Sequence, residues 1–242
     1  MSVWRRIADA VEATGGGIAS LLGWLGGLVP GIRDPHLARQ VAFSVALIAL
    51  SAKMAKADGV VTYDEVAAFR ALFSVPAREA RAVNRLFDIA KRDVAGFQTY
   101  ASRVADFYAD NRAGLEDVMD GLFSIAKADG AVHEAELAYL ENVAGIFGFA
   151  GADFERIALR HVVPAEGDPY LILGVERDWP LTRIRGRYHQ LVAENHPDKF
   201  TARGLPADFI AIANDRVAAI NGAYERIERE RAARPDIAMP KV

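Results

Sequence analysis

The pentapeptide Ala-Lys-Ala-Asp-Gly occurs twice in this chain, at residues 55–59 and again at residues 126–130. Each copy ends a segment whose apolar residues recur with a helical period, and each is followed by an acidic helix start. The match continues to Glu65 and Glu136, each seven residues past the aspartate of its copy. The repeat therefore predicts that residues 34–161 form a helical bundle built with an internal repeat.

The remainder of this region has the same helical period, and it contains no convincing alternation of apolar and polar residues. Its longest apolar segment runs from Leu37 to Lys56. The uncharged run within it, Gln40 to Ala52, is shorter than the roughly 20 residues that cross a bilayer, so we expect a buried core helix. Further helices are predicted at 62–74, 76–91, 97–110, 113–128, 134–148 and 151–161. The sequence thus predicts an all-α fold.

The repeated Asp-Gly pair also raises a metal-binding hypothesis. Asp58-Gly59 followed by Glu65 resembles the second half of a calcium-binding EF-hand loop. The first half does not match, because Met54 and Lys56 occupy positions that need oxygen ligands. We therefore favour a structural role for the glycines as helix ends and expect no metal and no other cofactor. The oxygens available to a metal would be those of Asp58, Asp64, Glu65, Asp129, Glu134 and Glu136.

Residues 1–33 differ in composition from the bundle that follows. Helical spacing places Trp4, Ile7 and Val11 on one face of the first helix, which suits a helix lying on a membrane surface. We interpret residues 1–33 as an amphipathic and glycine-rich segment that could attach the chain to a membrane.

Residues 13–32 contain no charged residue, and two interpretations of this run stay open. A flexible or surface-associated segment is favoured over a spanning helix, because a run so rich in glycine inserts weakly into a bilayer. Small residues at every fourth position also resemble helix-dimerising membrane segments, so homodimerisation through them is an open alternative. These residues are Gly15, Ala19, Gly23, Gly27 and Gly31.

The C-terminal third contains His196-Pro197-Asp198-Lys199, the HPD loop hereafter, between two segments of helical period. Pro197 ends the first helix near Asn195, because proline lacks an N–H and disfavours helical dihedrals at the residue before it. The apolar stripe of the second helix consists of Phe209, Ala213, Val217, Ile220, Tyr224 and Ile227. We expect the two helices to pack as an antiparallel pair, with this stripe facing one partner and the loop at the tip.

Three stretches of this region together resemble a J domain, over about Asp168 to Arg231. They are 168-DPYLILGV-175, then 188-YHQL-191 with the HPD loop, and 220-INGAYE-225. The resemblance implies docking on a DnaK-type chaperone in its ATP-bound state and stimulation of that partner's ATP hydrolysis. The residues that the resemblance assigns to docking are His196, Pro197, Asp198, Lys199, Arg183, Arg185 and Arg187. The chain departs from the family at His189, Gln190 and Glu194, so its basic residues lie early in the helix.

The repeat region resembles the TerB-like helical domain, and a TerB-like domain followed by a J domain is the arrangement of the DjlA family of co-chaperones. We therefore expect a co-chaperone in the cytoplasm that could be attached to the cytoplasmic face of the inner membrane through residues 1–32. The alternative is an envelope-stress sensor or scaffold whose TerB-like domain binds a ligand or metal while the J domain only tethers the chaperone. The expected units are residues 1–33, a TerB-like domain at 34–161, a linker at 162–167, a J domain at 168–231 and a disordered tail at 232–242.

Composition narrows the function classes further. The net charge of −3 gives no support to nucleic acid as a partner. The absence of cysteine excludes disulfides, thiol catalysis and cysteine-bound zinc. The five histidines are scattered without a placed nucleophile and base, and no glycine-rich phosphate loop follows a strand. We therefore expect a binding protein and not an enzyme.

Overall fold

The computed structural model describes residues 2–15, 17–25, 27–57, 63–93, 95–162, 167–203 and 205–233. Within these ranges the chain forms thirteen α-helices, two short 3₁₀ helices and no strand. The prediction of an all-α fold is confirmed.

The first nine helices form the bundle, defined here as residues 3–161. They are α1 (Val3–Thr14), α2 (Ile18–Leu25), α3 (Pro35–Ala57), α4 (Tyr63–Leu72), α5 (Ala80–Arg92), α6 (Phe97–Phe107), α7 (Arg112–Ala126), α8 (Glu134–Ile146) and α9 (Ala152–His161). Each predicted helix of the repeat region corresponds to one of α3 to α9, with ends that differ by up to four residues.

Helix α3 is the centre of the bundle, and α1, α2, α5, α6, α7 and α8 pack around it. Every residue from Val41 to Leu50 is buried. Within the described residues, one helix, Pro35–Ala55, is long and apolar enough to cross a membrane, but 78% of its most apolar window is buried inside the protein. Its apolar side chains are therefore used in the core, as expected for Gln40 to Ala52.

The second copy of the repeat ends α7. A 3₁₀ turn, Lys127–Asp129, follows this helix, and Gly130 then has a φ of 120°, which favours glycine. The first copy lies at the end of α3, where residues 58–62 are outside the described ranges. Helices α3 and α7 pack against each other, so the two helices that carry the repeat meet in the core.

The N-terminal helices belong to the bundle, in contrast to the separate segment predicted for residues 1–33. Trp4, Ile7 and Val11, the face that we matched to a membrane surface, are buried against the other helices. Leu21 and Trp24 of α2 are buried in the same core. The amphipathic pattern was identified correctly, but the surface that it covers is protein.

The last four helices form the hairpin segment, defined here as residues 168–233. They are α10 (Pro169–Leu173), α11 (Leu181–Glu194), α12 (Pro197–Ala202) and α13 (Ile210–Ala233). Helices α11 and α13 pack together, and the rings of Tyr188 and Tyr224 stack with centroids 4.2 Å apart. The final helix extends two residues past the predicted end at Arg231, and residues 234–242 are outside the described ranges.

The apolar stripe of α13 faces two cores, so the prediction of a single partner is wrong. Ile220, Tyr224 and Ile227 pack with α10 and α11 inside the hairpin segment. Phe209 and Ala213 are buried instead in the core of the bundle. The reason is length: α13 has 24 residues and α11 has 14, so α11 cannot cover all of the stripe.

An aromatic cluster joins the hairpin segment to the bundle. The ring of Phe209 lies 5.1 Å from Phe43, 4.5 Å from Phe73 and 5.4 Å from Trp4, measured between centroids. Phe200 and Leu205 are buried beside it. We expected a linker at 162–167 that permits relative motion, and residues 163–166 are outside the described ranges. The shared core opposes such motion, because separating the two parts would expose these aromatic rings to water.

Candidate functional site

The HPD loop begins a short helix. His196 is the N-cap of α12, and its Nδ1 accepts a hydrogen bond of 3.2 Å from the backbone N–H of Asp198. Pro197 occupies the first helical position, where its missing N–H costs nothing and its fixed φ suits the helix. The side chains of His196 and Asp198 are 56% and 92% exposed. The loop therefore presents an imidazole and a carboxylate to solvent from a defined backbone.

The rest of α12 holds this turn against the bundle. Phe200 is buried, and its ring meets that of Phe43 edge to face at 6.5 Å. Lys199, one residue earlier, is exposed. The loop is thus not a free tip of a hairpin, as the sequence suggested, because one side of its helix is packed and only the other faces solvent.

The three predicted arginines of α11 do not share one face. Arg185 points toward α13, where its Nε donates to the Tyr224 hydroxyl at 2.9 Å and its Nη2 lies 3.2 Å from Glu228. Arg183 lies over the ring of Trp179 at 3.5 Å. Residues two apart on a helix are separated by about 200°, whereas residues four apart share a face. Arg183 and Arg187 are therefore on one side, and Arg185 is on the other.

Among these arginines, Arg187 is the one that shares a surface with the HPD loop. A cleft of about 750 Å³ lies between the bundle and the hairpin segment, and both Arg187 and Lys199 line it. Arg187 pairs with Glu194, with 3.8 Å between its Nη1 and the carboxylate oxygen. The structure thus brings Arg187 and Lys199 to one cleft, and Lys199 directly follows the exposed Asp198 in the chain.

Behind the loop lies a buried charge cluster that joins α7, α9 and the hairpin segment. Its members are Glu116, Asp117 and Asp120 of α7, Arg156, Arg160 and His161 of α9, and Arg203 and Arg216. The Asp117 and Asp120 side chains have no solvent exposure. Charges so deeply buried are tolerated only when they are paired and hydrogen-bonded.

The arginines of the cluster keep two of its carboxylates ionised. Burial disfavours the charged form of Glu116, but Arg160, Arg216 and Arg156 outweigh burial and lower its pKa to about 2. Burial likewise opposes ionisation of Asp120, and Arg160 and Arg216 overcome it to hold that pKa well below its usual range. Ion pairing therefore outweighs desolvation at both side chains.

Burial has the larger effect at two other members of the cluster. It lowers the pKa of His161 despite the Asp120 carboxylate 2.9 Å away. It also raises the pKa of Asp117, although Arg216 and Arg203 act in the opposite direction. The surroundings therefore favour the charged form of Glu116 and Asp120, and they disfavour the charged form of His161 and Asp117.

Sequence reasoning did not identify this cluster. A signal for it exists, since Glu116, Asp117 and Asp120 interrupt the apolar residues of α7 at positions that a buried helix would fill with aliphatic side chains. The pattern cannot name the partners, however. Asp117 and Arg203 are 86 residues apart in the chain, and nothing local relates them.

Of the residues proposed for a metal, Glu134 and Glu136 can be described. Both lie in the first turn of α8, and the Glu136 carboxylate accepts a hydrogen bond of 2.9 Å from the His133 N–H. Residue 58 and the side chains of Asp64, Glu65 and Asp129 lie outside the described part of the chain. The described residues contain no group of three or more acidic or histidine side chains suited to a metal ion.

Comparison with known proteins adds two findings. The family model described as "Tellurite resistance protein TerB" matches residues 44–159. Proteins named "Co-chaperone protein DjlA" are similar to the chain over most of its length. That of Photobacterium profundum is 25% identical over 222 residues, covering 80% of this chain and 79% of the relative.

Two further relatives with the same name support the match. The protein of Vibrio vulnificus is 26% identical over 228 residues, covering 80% of this chain and 79% of its own. That of Shewanella oneidensis is 31% identical over 121 residues, which are 45% of this chain and 46% of the relative. No solved structure matches the chain significantly.

Proposed function

We propose that this chain, which is similar to DjlA co-chaperones and matches the TerB family model over residues 44–159, has a J domain at 168–231 that docks on a DnaK-type chaperone and stimulates its ATP hydrolysis. Hydrolysis is carried out by the partner, and this chain contributes a binding surface. The observation that carries the proposal is the HPD loop itself, whose His196 and Asp198 are exposed on a helix that is packed on its opposite side.

The chemistry of the loop suits recognition of a charged partner. Asp198 can accept hydrogen bonds from a cationic group, and ion pairs of this kind are stronger than neutral hydrogen bonds. Lys199 and Arg187 would attract a complementary acidic surface and so raise the rate of association. Because α12 is already ordered, little conformational entropy is lost when the partner binds. We assign docking to His196, Pro197, Asp198, Lys199 and Arg187, and long-range steering to Arg183 and Arg185.

Single-turnover ATP hydrolysis by a DnaK-type chaperone tests the proposal. We expect the full chain to accelerate hydrolysis and the His196→Gln variant to lose most of that acceleration. Loss of one hydrogen bond at a docking surface corresponds to about tenfold in affinity. The control is His36→Gln, the same substitution at an exposed histidine of α3. Binding without any acceleration by the wild-type chain would instead favour the tethering alternative, in which the TerB domain acts as sensor or scaffold.

For location we propose the cytoplasm, where ATP and DnaK-type chaperones are found. Attachment to the inner membrane through residues 1–32 is a further proposal, and the structure limits its form. The apolar faces of α1 and α2 are used inside the bundle. Attachment that leaves the bundle intact has to use exposed side chains. Among the described residues of this segment, the exposed large apolar side chains are Ile18 and Leu28, at 43% and 77% exposure.

A further inference from the structure

Both ends of the HPD loop are held by residues that contact the bundle, which are Arg216 of α13 and Phe200 of α12. On the N-terminal side, Arg216 donates from Nη1 to the Asn195 side-chain oxygen at 2.8 Å, and Asn195 is the residue directly before His196. The same Asn195 donates to the Leu191 carbonyl at 2.8 Å and so closes the end of α11. On the C-terminal side, Phe200 is buried against Phe43. The loop is therefore held before His196 and after Lys199.

Arg203, at the C-terminal end of α12, connects this helix to α7 and to α11. Its Nε and Nη2 donate to the two carboxylate oxygens of Asp117, each at 2.9 Å, so the pairing is bidentate. Its remaining nitrogen, Nη1, donates to the Glu194 carbonyl at 3.0 Å. One guanidinium thus fixes the end of α11 and the end of α12 to the same aspartate of α7. The planar fork of arginine gives such a pair a single geometry.

Arg216 of α13 connects the residue before the HPD loop to the buried aspartates of α7. It is buried between Asp117 and Asp120, with its Nη2 2.9 Å from Asp117 and its Nε hydrogen-bonded to Asp120. Its third branch is the one that reaches Asn195. Helix α9 in turn fixes Asp120, which also accepts from Arg160 at 2.9 Å. The groups that hold the loop are therefore themselves held by other buried groups.

We infer that Asp117, Asp120, Arg203 and Arg216 are positioning residues for chaperone docking, so that the TerB domain is a working part of the J-domain site. They lie behind the loop and leave His196 and Asp198 exposed. Their role is to keep α12 at a fixed angle to α11, and so to present the loop ready-made to the partner. The inference rests on the proposed docking function and assigns to the TerB domain a task within it.

Two variants weaken the support without touching the exposed loop. Arg203→Ala removes the bidentate pair but leaves Asp117 paired with Arg216. Phe200→Leu keeps an apolar side chain and loosens the packing of α12, and such exchanges of one apolar core residue for another leave a fold intact. The matched control is Arg177→Ala, which removes another arginine–aspartate pair of the hairpin segment, the 2.8 Å contact with Asp168.

The variants are compared in full-length protein by two measurements. The first is the concentration of chain that gives half-maximal stimulation of the chaperone's ATP hydrolysis. We expect it to rise about tenfold for Arg203→Ala, within the range usual for coupled sites, and to rise less for Phe200→Leu. Maximal stimulation at saturation should be unchanged, because the docked complex restores the loop geometry.

The second measurement is hydrogen exchange of the backbone amides at residues 198–203. We expect faster exchange in both variants, and rates like those of the wild type in Arg177→Ala. Faster exchange with an unchanged half-maximal concentration would overturn the inference, because order in the loop would then not affect docking. A lower half-maximal concentration would also overturn it, because the contacts with the bundle would then hinder docking. Unchanged exchange would also overturn it. If the wild-type chain gives no stimulation, the proposal that it stimulates the chaperone fails, and the exchange data still decide whether the bundle orders the loop.

Discussion

At the scale of single residues, the exposed charges of the HPD loop can be identified from the sequence, whereas the partners of the buried charges cannot. His196, Pro197 and Asp198 are adjacent in the chain, so a local motif identifies them. Asp117 and Asp120 acquire their role only from arginines that are far away in sequence. The short motif therefore indicates the surface that we propose for docking, and the fold shows which buried residues support that surface.

The buried carboxylates predict how stability depends on pH. The pKa of Glu116 is about 2 in the folded chain and 4.5 as its ordinary value. A depressed pKa stabilises the fold fully above the ordinary value, and this stabilisation is lost as the pH falls from about 4.5 toward 2. The difference corresponds to about 3 kcal/mol. Asp120 shifts in the same direction, so denaturant unfolding should show a marked loss of stability across this window.

Glu116→Gln is the variant that isolates one carboxylate. It cannot ionise, so the slope of unfolding free energy against pH should become shallower between pH 4.5 and 2. An exposed carboxylate of the same bundle, Asp9 of α1, supplies the control, because Asp9→Asn should leave the slope as it is. A Glu116→Gln slope equal to that of the wild type would show that the Glu116 pKa is not depressed by folding.

At the scale of elements, helices α1 and α13 show that an apolar face specifies burial without specifying the partner. The face of α1 matched a membrane surface, and in the fold it meets protein. The apolar stripe of α13 is continuous in the sequence. In the fold it packs into two separate cores, because the neighbouring helix α11 is shorter than α13. Periodicity identified both helices correctly, since it depends only on local spacing.

The position of α1 can be tested by placing a polar side chain on each of its faces. Ile7 is fully buried, so Ile7→Asn should lower the free energy of unfolding by about 3 kcal/mol through lost apolar burial and an unpaired amide. Arg5 is half exposed and pairs with Asp9 on the surface, so Arg5→Gln should change the free energy of unfolding by less than about 0.5 kcal/mol. Equal and small effects of the two substitutions would show that α1 is not part of the core in solution.

At the scale of the whole molecule, the bundle and the hairpin segment share a core. Phe209 of the hairpin segment packs against Trp4, Phe43 and Phe73 of the bundle. The buried charge cluster crosses the same boundary through Arg203 and Arg216. A boundary that contains both apolar and charged buried contacts is stabilised like the interior of a domain, unlike a flexible connection.

This shared core predicts cooperative unfolding. We expect a single calorimetric transition whose van't Hoff enthalpy equals the measured enthalpy. Tryptophan fluorescence supplies an independent probe, because Trp4 and Trp24 report on the bundle and Trp179 reports on the hairpin segment. Replacing Trp179 by Phe leaves a bundle-only signal, and its midpoint should coincide with that of far-ultraviolet circular dichroism. Two separated transitions would contradict a shared core.

The sequence by itself determined the all-α class, the helices of the repeat region, the repeat and the HPD loop between two helices. Each of these depends on residues a few positions apart, where spacing and side-chain type suffice. Only the tertiary structure decided that the apolar face of α1 is buried, that Arg185 turns toward α13 and that Asp117 of α7 pairs with Arg203 at the end of α12. These features depend on which distant surfaces meet, and burial of a face releases about the same free energy against any well-fitting apolar partner. The choice among partners is made by the packing of the whole chain.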